Sequence, residues 1–330
     1  IADHIFRSMA AQTFDLKEFY LRRSLRILPA YYTVLLIYFC FPLLQEKPVI
    51  APLWKYLTLT MNYGLESSGF SHIWSLCLEE HFYILFPLLA LAFLAKADPR
   101  HLMHTLVFLV FGTLCLRLYL FINIVEAQPT APLKSLAYNT YIYYPGITRL
   151  DGVIFGALVA FVRNYNTALW DKLTGIKRGD IHLLCGIAIL ALCSAIERRQ
   201  SLEFLDASAG YTLKSLGCAF LLLAALSRNC ILYKTRIPGA ETLAILSFAI
   251  YLIHKMTIHS SLQLFSNALG LDKTGVPFTV IATGVTLLAA WILYKGVEQP
   301  FLKLREKLTR IPDLAPAEAA TLNNKSAASP

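Results

Sequence analysis

Long apolar stretches alternate with short polar connectors along almost the whole chain. Eight of these stretches are long enough to cross a bilayer as helices, because a hydrocarbon core about 30 Å thick needs roughly 17 to 25 apolar helical residues. The predicted spans are Ile27–Leu44, Ile73–Ala95, Leu102–Val125, Ile147–Val162, Ile181–Ile196, Tyr211–Leu226, Leu243–Phe265 and Pro277–Tyr294. The pattern therefore predicts an all-α, polytopic integral membrane helical bundle over residues 1–310, followed by a disordered tail over residues 311–330.

The composition supports a membrane protein and excludes most soluble classes. Hydrophobic residues make up 56 % of the 330 residues, charged residues make up 15 %, and the mean hydropathy is +0.54. Soluble domains usually carry about 25 % charged residues, since they must cover their surface with polar groups. A chain this apolar has more hydrophobic surface than one core can bury.

The basic residues are distributed unevenly between the two sets of connectors. The net charge is +9, and the connectors on the side of both chain ends hold twenty Lys and Arg, against six on the opposite side. Basic residues stay preferentially on the cytoplasmic side of a membrane. We therefore expect a multi-pass protein of the inner (plasma) membrane with both ends, and the tail, in the cytoplasm. Because the charges are dispersed over short loops, no nucleic-acid partner is expected.

Several ionisable residues lie inside the predicted spans, where a charge costs on the order of 2.5–3.5 kcal/mol and needs a partner, water or a function. Glu79 follows the start of the second span, Arg149 and Asp151 open the fourth, and His254 lies near the middle of the seventh. Residues four apart share a helix face. Ser75, Glu79 and Tyr83 therefore form one predicted polar stripe, with His72 one turn earlier.

Two interpretations of these residues stay open at this point. They hold helices together, with Glu79 and Arg149 as an ion pair, or they form a site in which Glu79 and His254 act as acid or base. A similar choice applies to Arg22, Arg23 and Arg26 before the first span. They are a basic membrane anchor, or they bind phosphates through their guanidinium groups.

Five blocks of the chain, in this order, resemble the membrane-bound acyltransferase-3 family, whose members O-acylate sugars, glycans and related acceptors. The blocks are FYLRRSLRILPAY at 19–31, IWSLCLEEHFY at 73–83, TRLDGVIFGA at 148–157, SFAIYLIH at 247–254 and VEQPF at 297–301. The resemblance implies a bundle of ten spans in a full-length member. It also implies that the family's first two helices, the first with an Arg and a His central to acyl transfer, are missing here. We therefore expect coding sequence upstream, and an inactive chain in its absence.

The resemblance further implies a membrane-bound O-acyltransferase of the cell envelope that performs O-acetylation as a polysaccharide modification. Its donor would be acyl-CoA, most simply acetyl-CoA, as a substrate rather than a cofactor, and no metal is expected. Arg22, Arg23 and Arg26 would bind the phosphates of the acyl-CoA, and Glu79 and His254 would be catalytic. The carbohydrate or glycan acceptor would contact residues around an external pocket, namely His72, Trp74, Ser75, Tyr83, Arg149 and Asp151.

The main rival is a polytopic transporter or flippase for an envelope glycan or lipid-linked substrate. Transporters often show repeated halves with broken helices at mid-membrane, and no such pairing is visible in this sequence. A structural subunit of an envelope assembly is a third reading. Binding of CoA separates the enzyme from both rivals. The sequence names neither the acceptor nor the oligomeric state, and membrane lipids are the one further partner expected.

Overall fold

The computed structural model describes residues 1–64, 68–94, 98–175, 178–198, 203–235, 237–267 and 270–309. These residues form α-helices and contain no strand, so the all-α prediction is confirmed for them. The helices are α1 (Ala2–Ala10), α2 (Leu16–Cys40), α3 (Leu53–Leu57), α4 (Trp74–Leu94), α5 (Pro99–Leu120), α6 (Ala131–Tyr138), α7 (Leu150–Tyr165), α8 (Thr167–Thr174), α9 (Arg178–Glu197), α10 (Glu203–Leu205), α11 (Tyr211–Leu226), α12 (Ile231–Lys234), α13 (Ala240–Ser261), α14 (Val276–Leu293) and α15 (Gln299–Leu308). The tail predicted at 311–330 lies outside the described residues.

Shorter helical turns of two other types join or extend these helices. The 3₁₀ turns are Pro42–Leu44, Ser71–Ile73 and Gly146–Arg149. The π-helical turns are Phe121–Val125, Asn139–Tyr143, Asp206–Gly210, Leu262–Asn267 and Tyr294–Glu298. π-Helical turns are rare and are often found at functional sites. The five among the described residues therefore direct attention to the regions where they meet.

Six helices in the described part of the chain are long and apolar enough to cross a membrane, and a bent pair brings the number to seven. These seven match seven of the eight predicted spans. The remaining one, predicted at Ile27–Leu44, falls on α2, which begins at Leu16 and ends at Cys40. The charged first half of α2 shortens its apolar part, so a crossing by α2 stays a prediction.

The bent pair differs from its prediction in an instructive way. Residues 126–146 lie between two predicted spans and are therefore predicted to form a connector, whereas the structure has a helix that runs from Ala131 through Tyr143. A bend of 77° separates it from the helical segment Gly146–Tyr165. Pro145 stands at the break, since proline lacks a backbone N–H and disfavours a helical residue before it. The chain thus re-enters a helix directly before Arg149.

The described chain divides into two compact units. The first contains Ile1–Phe14 and Glu46–Glu241, and the second contains Asp15–Gln45 and the described residues from Thr242 onward. In the first unit, α9 and α11 pack at short range through glycines. A Cβ added to Gly186 would lie 2.7 Å from the side chain of Leu221, and one added to Gly217 would lie 3.1 Å from Leu190. Small residues at such contacts let transmembrane helices approach closely.

In the second unit, α2 packs along α15 and along the π-helical turn Tyr294–Glu298. The side chain of Asp15 caps α2 by accepting hydrogen bonds from the backbone N–H groups of Lys17 (2.8 Å) and Glu18 (3.2 Å), which satisfies donors that a helix start leaves unpaired. A hydrogen bond of 2.7 Å between the hydroxyls of Thr257 and Thr286 links α13 to α14. Hydrogen bonds between membrane helices add modestly to their association.

Candidate functional site

The predicted site residues are distributed over both units. The first unit contains His72, Trp74, Ser75, Glu79, Tyr83, Arg149 and Asp151, whereas the second contains Arg22, Arg23, Arg26 and His254. The two predicted catalytic residues, Glu79 and His254, therefore belong to different units. We describe the surroundings of each residue within its own unit.

The start of α4 is fixed by tight local packing. Phe70 adopts the left-handed conformation (φ 55°), and the 3₁₀ turn Ser71–Ile73 follows it directly. The buried ring of His72 lies edge-on to Phe70, with 4.9 Å between ring centroids. The hydroxyl of Ser75 donates to the carbonyl of His72 at 3.3 Å. His72 and Ser75 thus contribute to the local geometry that positions Trp74.

Glu79 and Tyr83 lie on one face of α4, as their spacing predicts. The Tyr83 hydroxyl donates to Oε2 of Glu79 at 3.1 Å. Both side chains line a cavity of about 500 Å³, which is also lined by residues of α1, α7 and α11. On α7 the wall includes the small residues Gly152 and Gly156 and, toward the end of the helix, Arg163. An exposed carboxylate at a cavity of this size is accessible to a ligand, and its tyrosine partner fixes its orientation.

A second carboxylate, that of Asp3, lines the same cavity, but its negative charge is compensated by neighbouring arginines. Asp3 accepts a hydrogen bond from Nδ2 of Asn164 (2.9 Å) and one from Arg7, and its carboxylate lies 3.6 Å from Nη1 of Arg163. Partial burial works to raise the pKa of Asp3, but the hydrogen bonds from Arg7 and Asn164 and the charges of Arg163 and Arg7 outweigh it and lower this pKa. Glu79 thus differs from Asp3 in facing the cavity without a cationic partner among the described residues.

Arg149 lies among aromatic rings. Its Cζ is 3.5 Å from the ring centroid of Tyr211, 5.2 Å from that of Trp74 and 5.3 Å from that of Tyr143. The faces of aromatic rings attract guanidinium groups, and this attraction grows when water is excluded. No described carboxylate forms an ion pair with Arg149, so the alternative of a Glu79–Arg149 pair is not what the structure shows.

One guanidinium nitrogen of Arg149 donates no hydrogen bond to a described residue. Nη1 is buried and has no hydrogen-bond partner among the described residues. Leaving a buried donor unsatisfied costs about 1–3 kcal/mol, and more for a charged group. The N–H groups of a guanidinium form a rigid fork that suits carboxylates and other oxygen acceptors. Arg149 therefore retains one hydrogen-bond donor, buried among aromatic rings, that no described group of the protein uses.

Asp151 was predicted to shape a pocket together with Arg149, but the structure pairs it with Arg117. Nη1 of Arg117 lies 2.8 Å from Oδ2 of Asp151, and both side chains are almost completely buried. Arg117 also donates to the carbonyls of Thr148 (2.7 Å) and Ser208 (3.0 Å) and to the hydroxyl of Thr212. The network joins α5, α7 and α11, so Asp151 holds helices together here.

Arg117 had not been selected from the sequence as a site residue, although it is a basic residue inside an apolar span. A charge inside a span predicts a nearby partner, so the sequence could have shown that Arg117 needs one. The sequence could not show that the partner is Asp151, which is 34 positions away, because the pairing depends on how two helices are rotated about their axes.

In the second unit the three arginines of α2 have different surroundings. Arg22 is buried and donates from Nη1 to the Thr309 hydroxyl at 2.9 Å. Arg23 is half-buried and lies over the ring of Phe19, with 5.8 Å between Cζ and the centroid. Arg26 is exposed. Of the three, Arg26 and Arg23 offer the most accessible guanidinium groups, and the role of all three in binding acyl-CoA stays a prediction.

Glu298 is a further buried carboxylate in this unit that the sequence reasoning did not select. It is 7 % exposed, its Oε1 has no hydrogen-bond partner among the described residues, and Arg26 is the cation that acts on it electrostatically. The block at 297–301, one of those behind the family resemblance, contains it. That block was the signal that would have identified Glu298.

His254 lines a cavity of about 450 Å³ between α13 and α14. Its Nδ1 lies 2.8 Å from the carbonyl oxygen of Tyr251 in the same helix. In the Nδ1–H tautomer Nδ1 donates to this carbonyl, and Nε2 is an acceptor. Lys273 and Thr283 are among the few polar residues around this mostly apolar cavity. Within the described ranges, no group of three or more His, Cys, Asp or Glu side chains is arranged to hold a metal ion.

Comparison with known proteins gives a consistent result. A family described as an acyltransferase domain, Acyl_transf_3, matches residues 8–295. O-acetyltransferase OatA of Staphylococcus aureus is 25 % identical over 312 residues, both in strain NCTC 8325 / PS 47 and in strain COL. The match covers 88 % of this chain and 48 % of the relative, so the chain spans about half the length of these curated relatives. No solved structure matches. Because the family match extends over most of the residues, the chain belongs to the acyltransferase-3 family of integral membrane proteins.

Proposed function

We propose that this protein is a membrane-bound O-acyltransferase of the cell envelope, which transfers an acetyl group from acetyl-CoA on the cytoplasmic side to a hydroxyl of a carbohydrate or glycan. The observation that carries the proposal is the family match over residues 8–295. The names of the similar proteins, O-acetyltransferases, support the acetyl group and the hydroxyl acceptor. The positive-inside bias supports a donor that arrives from the cytoplasm.

In such a transfer the acceptor oxygen attacks the thioester carbonyl carbon, a C–O bond forms and the C–S bond breaks. The hydroxyl proton passes to a base and then to the departing CoA sulfur. The base must be within hydrogen-bond reach of that proton. Glu79 supports this part of the proposal, since its carboxylate is held by Tyr83 at 3.1 Å and faces a cavity of about 500 Å³. It accepts the proton itself or orients the group that does.

We assign the donor to the basic face of α2. CoA carries several phosphate charges, and guanidinium groups match phosphate geometry. Arg23 and Arg26 are the accessible members of this face, whereas Arg22 anchors α2 to Thr309. We assign the acceptor to Arg149 and Trp74, because a sugar ring stacks on aromatic faces and its oxygens accept from a free guanidinium N–H.

The first test is radiolabelled acetyl-CoA with membranes that contain this protein, with Glu79→Gln and Arg26→Ala beside it. In a form that includes the two expected N-terminal helices, we expect CoA release and labelled carbohydrate, both reduced at least 10-fold in the variants at equal protein levels. Arg178→Ala serves as the control for a basic residue outside the assigned donor face. The chain without these two helices is tested beside the longer form and is expected to be inactive.

Equilibrium binding of acetyl-CoA is measured in parallel on purified protein in nanodiscs. Binding that Arg26→Ala weakens and Glu79→Gln preserves supports the separate donor and chemical roles. Absence of CoA binding in a folded sample, in both the shorter and the longer form, would overturn the enzyme proposal in favour of a transporter.

A further inference from the structure

Three of the five π-helical turns meet in the first unit. Phe121–Val125, Asn139–Tyr143 and Asp206–Gly210 surround one buried cluster, in which Phe121, Ile142 and Ala207 are packed together with three further residues of the same region. A π-helical turn inserts one extra residue into a helix and is frequently found at functional sites. Three of them converge here on a single region that is separate from Glu79 and its cavity.

A cavity of about 320 Å³ opens beside this cluster. One face of α6 forms a wall, because Ala131, Lys134, Ser135 and Tyr138 follow each other at helical spacing and all line it. The other walls include Phe121, Glu126 and Asp206. The volume lies at the lower end of the range for small-ligand pockets, about 300–1,000 Å³. It suits one or two sugar rings.

The lining combines the groups that a polyhydroxylated ring requires. The carboxylates of Glu126 and Asp206 accept hydrogen bonds from hydroxyls, whereas Lys134 and Ser135 donate to ring and hydroxyl oxygens. Phe121 and Tyr138 provide aromatic surface for the C–H faces of a sugar.

The charges of the cavity are balanced. Lys134 forms an ion pair with Glu126, and Nζ of Lys214 lies 3.3 Å from Oδ1 of Asp206. Because both lysines are already paired with carboxylates, the cavity has no surplus of positive charge to attract the phosphates of CoA. The cavity is therefore chemically distinct from a donor site.

Position and connectivity agree with this assignment. The connectors 126–146 and 197–210, which contribute most of the polar lining, carry only three of the chain's basic residues and are predicted to lie outside the cytoplasm. Tyr138 of the cavity wall shares a hydrogen bond between hydroxyls with Tyr211, and Tyr211 holds the guanidinium of Arg149 at 3.5 Å from its ring centroid. The cavity is thus one tyrosine pair away from Arg149.

We infer that the cavity bounded by Phe121, Glu126, Lys134, Ser135, Tyr138 and Asp206 binds a neutral, hydroxyl-rich sugar unit of the acceptor. This inference rests on the proposed function, because it names the acceptor class of that reaction. It assigns to the three π-helical turns the role of opening a carbohydrate subsite next to Arg149.

The test uses two neighbouring positions of α6. Ser135→Trp fills the cavity, whereas Leu136→Trp places the same side chain at a position that is 44 % exposed and does not line it. The neutral disaccharides cellobiose and N,N′-diacetylchitobiose are titrated into purified protein in nanodiscs. We expect at least one to bind, Ser135→Trp to weaken that binding at least 10-fold, and Leu136→Trp to leave it within 2-fold of the parent.

Acetyl-CoA binding is measured on the same samples and separates the possible failures. Equal disaccharide binding by Ser135→Trp and the parent, or no binding of either probe by a parent that binds acetyl-CoA, would overturn the carbohydrate pocket and leave the acyltransferase proposal intact. Disaccharide binding with the expected pattern, but without CoA binding, would retain the pocket and reject the enzyme.

Discussion

Two arginines of the first unit flank the same tyrosine ring and are satisfied in opposite ways. The Cζ of Arg117 lies 5.7 Å from the centroid of Tyr211, and the Cζ of Arg149 lies 3.5 Å from it. Arg117 uses its nitrogens on Asp151, two backbone carbonyls and one hydroxyl. Arg149 is held by three aromatic faces, and its buried Nη1 bonds to no described group.

The difference separates a structural charge from a charge with binding capacity. A guanidinium has five N–H donors, and those of Arg117 are directed at protein oxygens on four helical elements. Aromatic faces compensate the charge of Arg149 but accept its hydrogen bonds only weakly. The position of a charge inside a membrane span therefore does not reveal whether it binds substrate. The set of acceptors around it does.

The largest effect is expected from breaking the buried pair. Asp151→Ala leaves Arg117 charged, buried and without its carboxylate, which should lower the free energy of unfolding by about 3–5 kcal/mol. Unfolding by SDS in mixed micelles measures this change. The control, Asp171→Ala, removes an exposed carboxylate of α8 and should change the stability by less than about 0.5 kcal/mol. A loss below about 1 kcal/mol in Asp151→Ala would mean that the pair is not a structural element.

Arg149 should show the reverse pattern. Arg149→Met keeps the volume between the rings but removes the N–H groups, so acetyl transfer should fall about 100-fold, equivalent to about 2.7 kcal/mol, while stability falls less than in Asp151→Ala. Arg149→Lys should restore little activity, because an ammonium cannot stack as a planar fork. Turnover per folded molecule is the measurement. Unchanged turnover in Arg149→Met, together with a large loss of stability, would place both arginines in the structural class.

The sequence was sufficient to predict the helices and helix faces that depend only on neighbouring residues. Of the eight predicted spans, six match helices that are long and apolar enough to cross a membrane, and a seventh matches the bent pair. The span predicted from Ile73 matches α4, which begins at Trp74. The stripe with Glu79 and Tyr83 followed from helical spacing alone, and the structure joins these two residues at 3.1 Å. Hydropathy and helical periodicity are properties of neighbouring residues, so they can be read without knowledge of tertiary structure.

Pairings between helices could not be predicted in the same way. Both carboxylates, Glu79 and Asp151, were reasonable partners for Arg149, and the structure gives it neither. The choice depends on the rotation of α4, α5 and α7 about their axes and on the bend after Tyr143. That bend arises at Pro145, which the sequence placed in a connector. Tertiary geometry thus decided which of several equally charged residues meet.

A third variant tests the ring that the two arginines share. Tyr138→Phe removes the hydroxyl that bonds to the hydroxyl of Tyr211, and should lower the free energy of unfolding by about 0.5–1.5 kcal/mol. It should also weaken disaccharide binding, since Tyr138 lines the proposed pocket. The control is Tyr141→Phe at a side chain that is 47 % exposed. If Tyr138→Phe behaves like this control in both assays, Tyr211 holds Arg149 without help from Tyr138.

The smallest loss of stability is expected at Asp3, which also pairs with arginines but, unlike Asp151, is partly exposed to water. Asp3, with its side chain 28 % exposed, interacts with Arg7, Arg163 and Asn164. Partial burial opposes the ionised form of Asp3, but these partners lower its pKa below the ordinary value of 3.8. A lowered folded-state pKa stabilises the fold above the unfolded pKa, and this contribution is lost as the pH falls through the folded value.

Asp3→Asn should therefore lower the free energy of unfolding by less than about 1 kcal/mol at pH 7. The difference from the parent should shrink below pH 3.8, because the parent carboxyl then becomes neutral as well. Unfolding measured at pH 7 and pH 3 tests this, and an equal difference at both values would show that Asp3 acts through its shape rather than its charge.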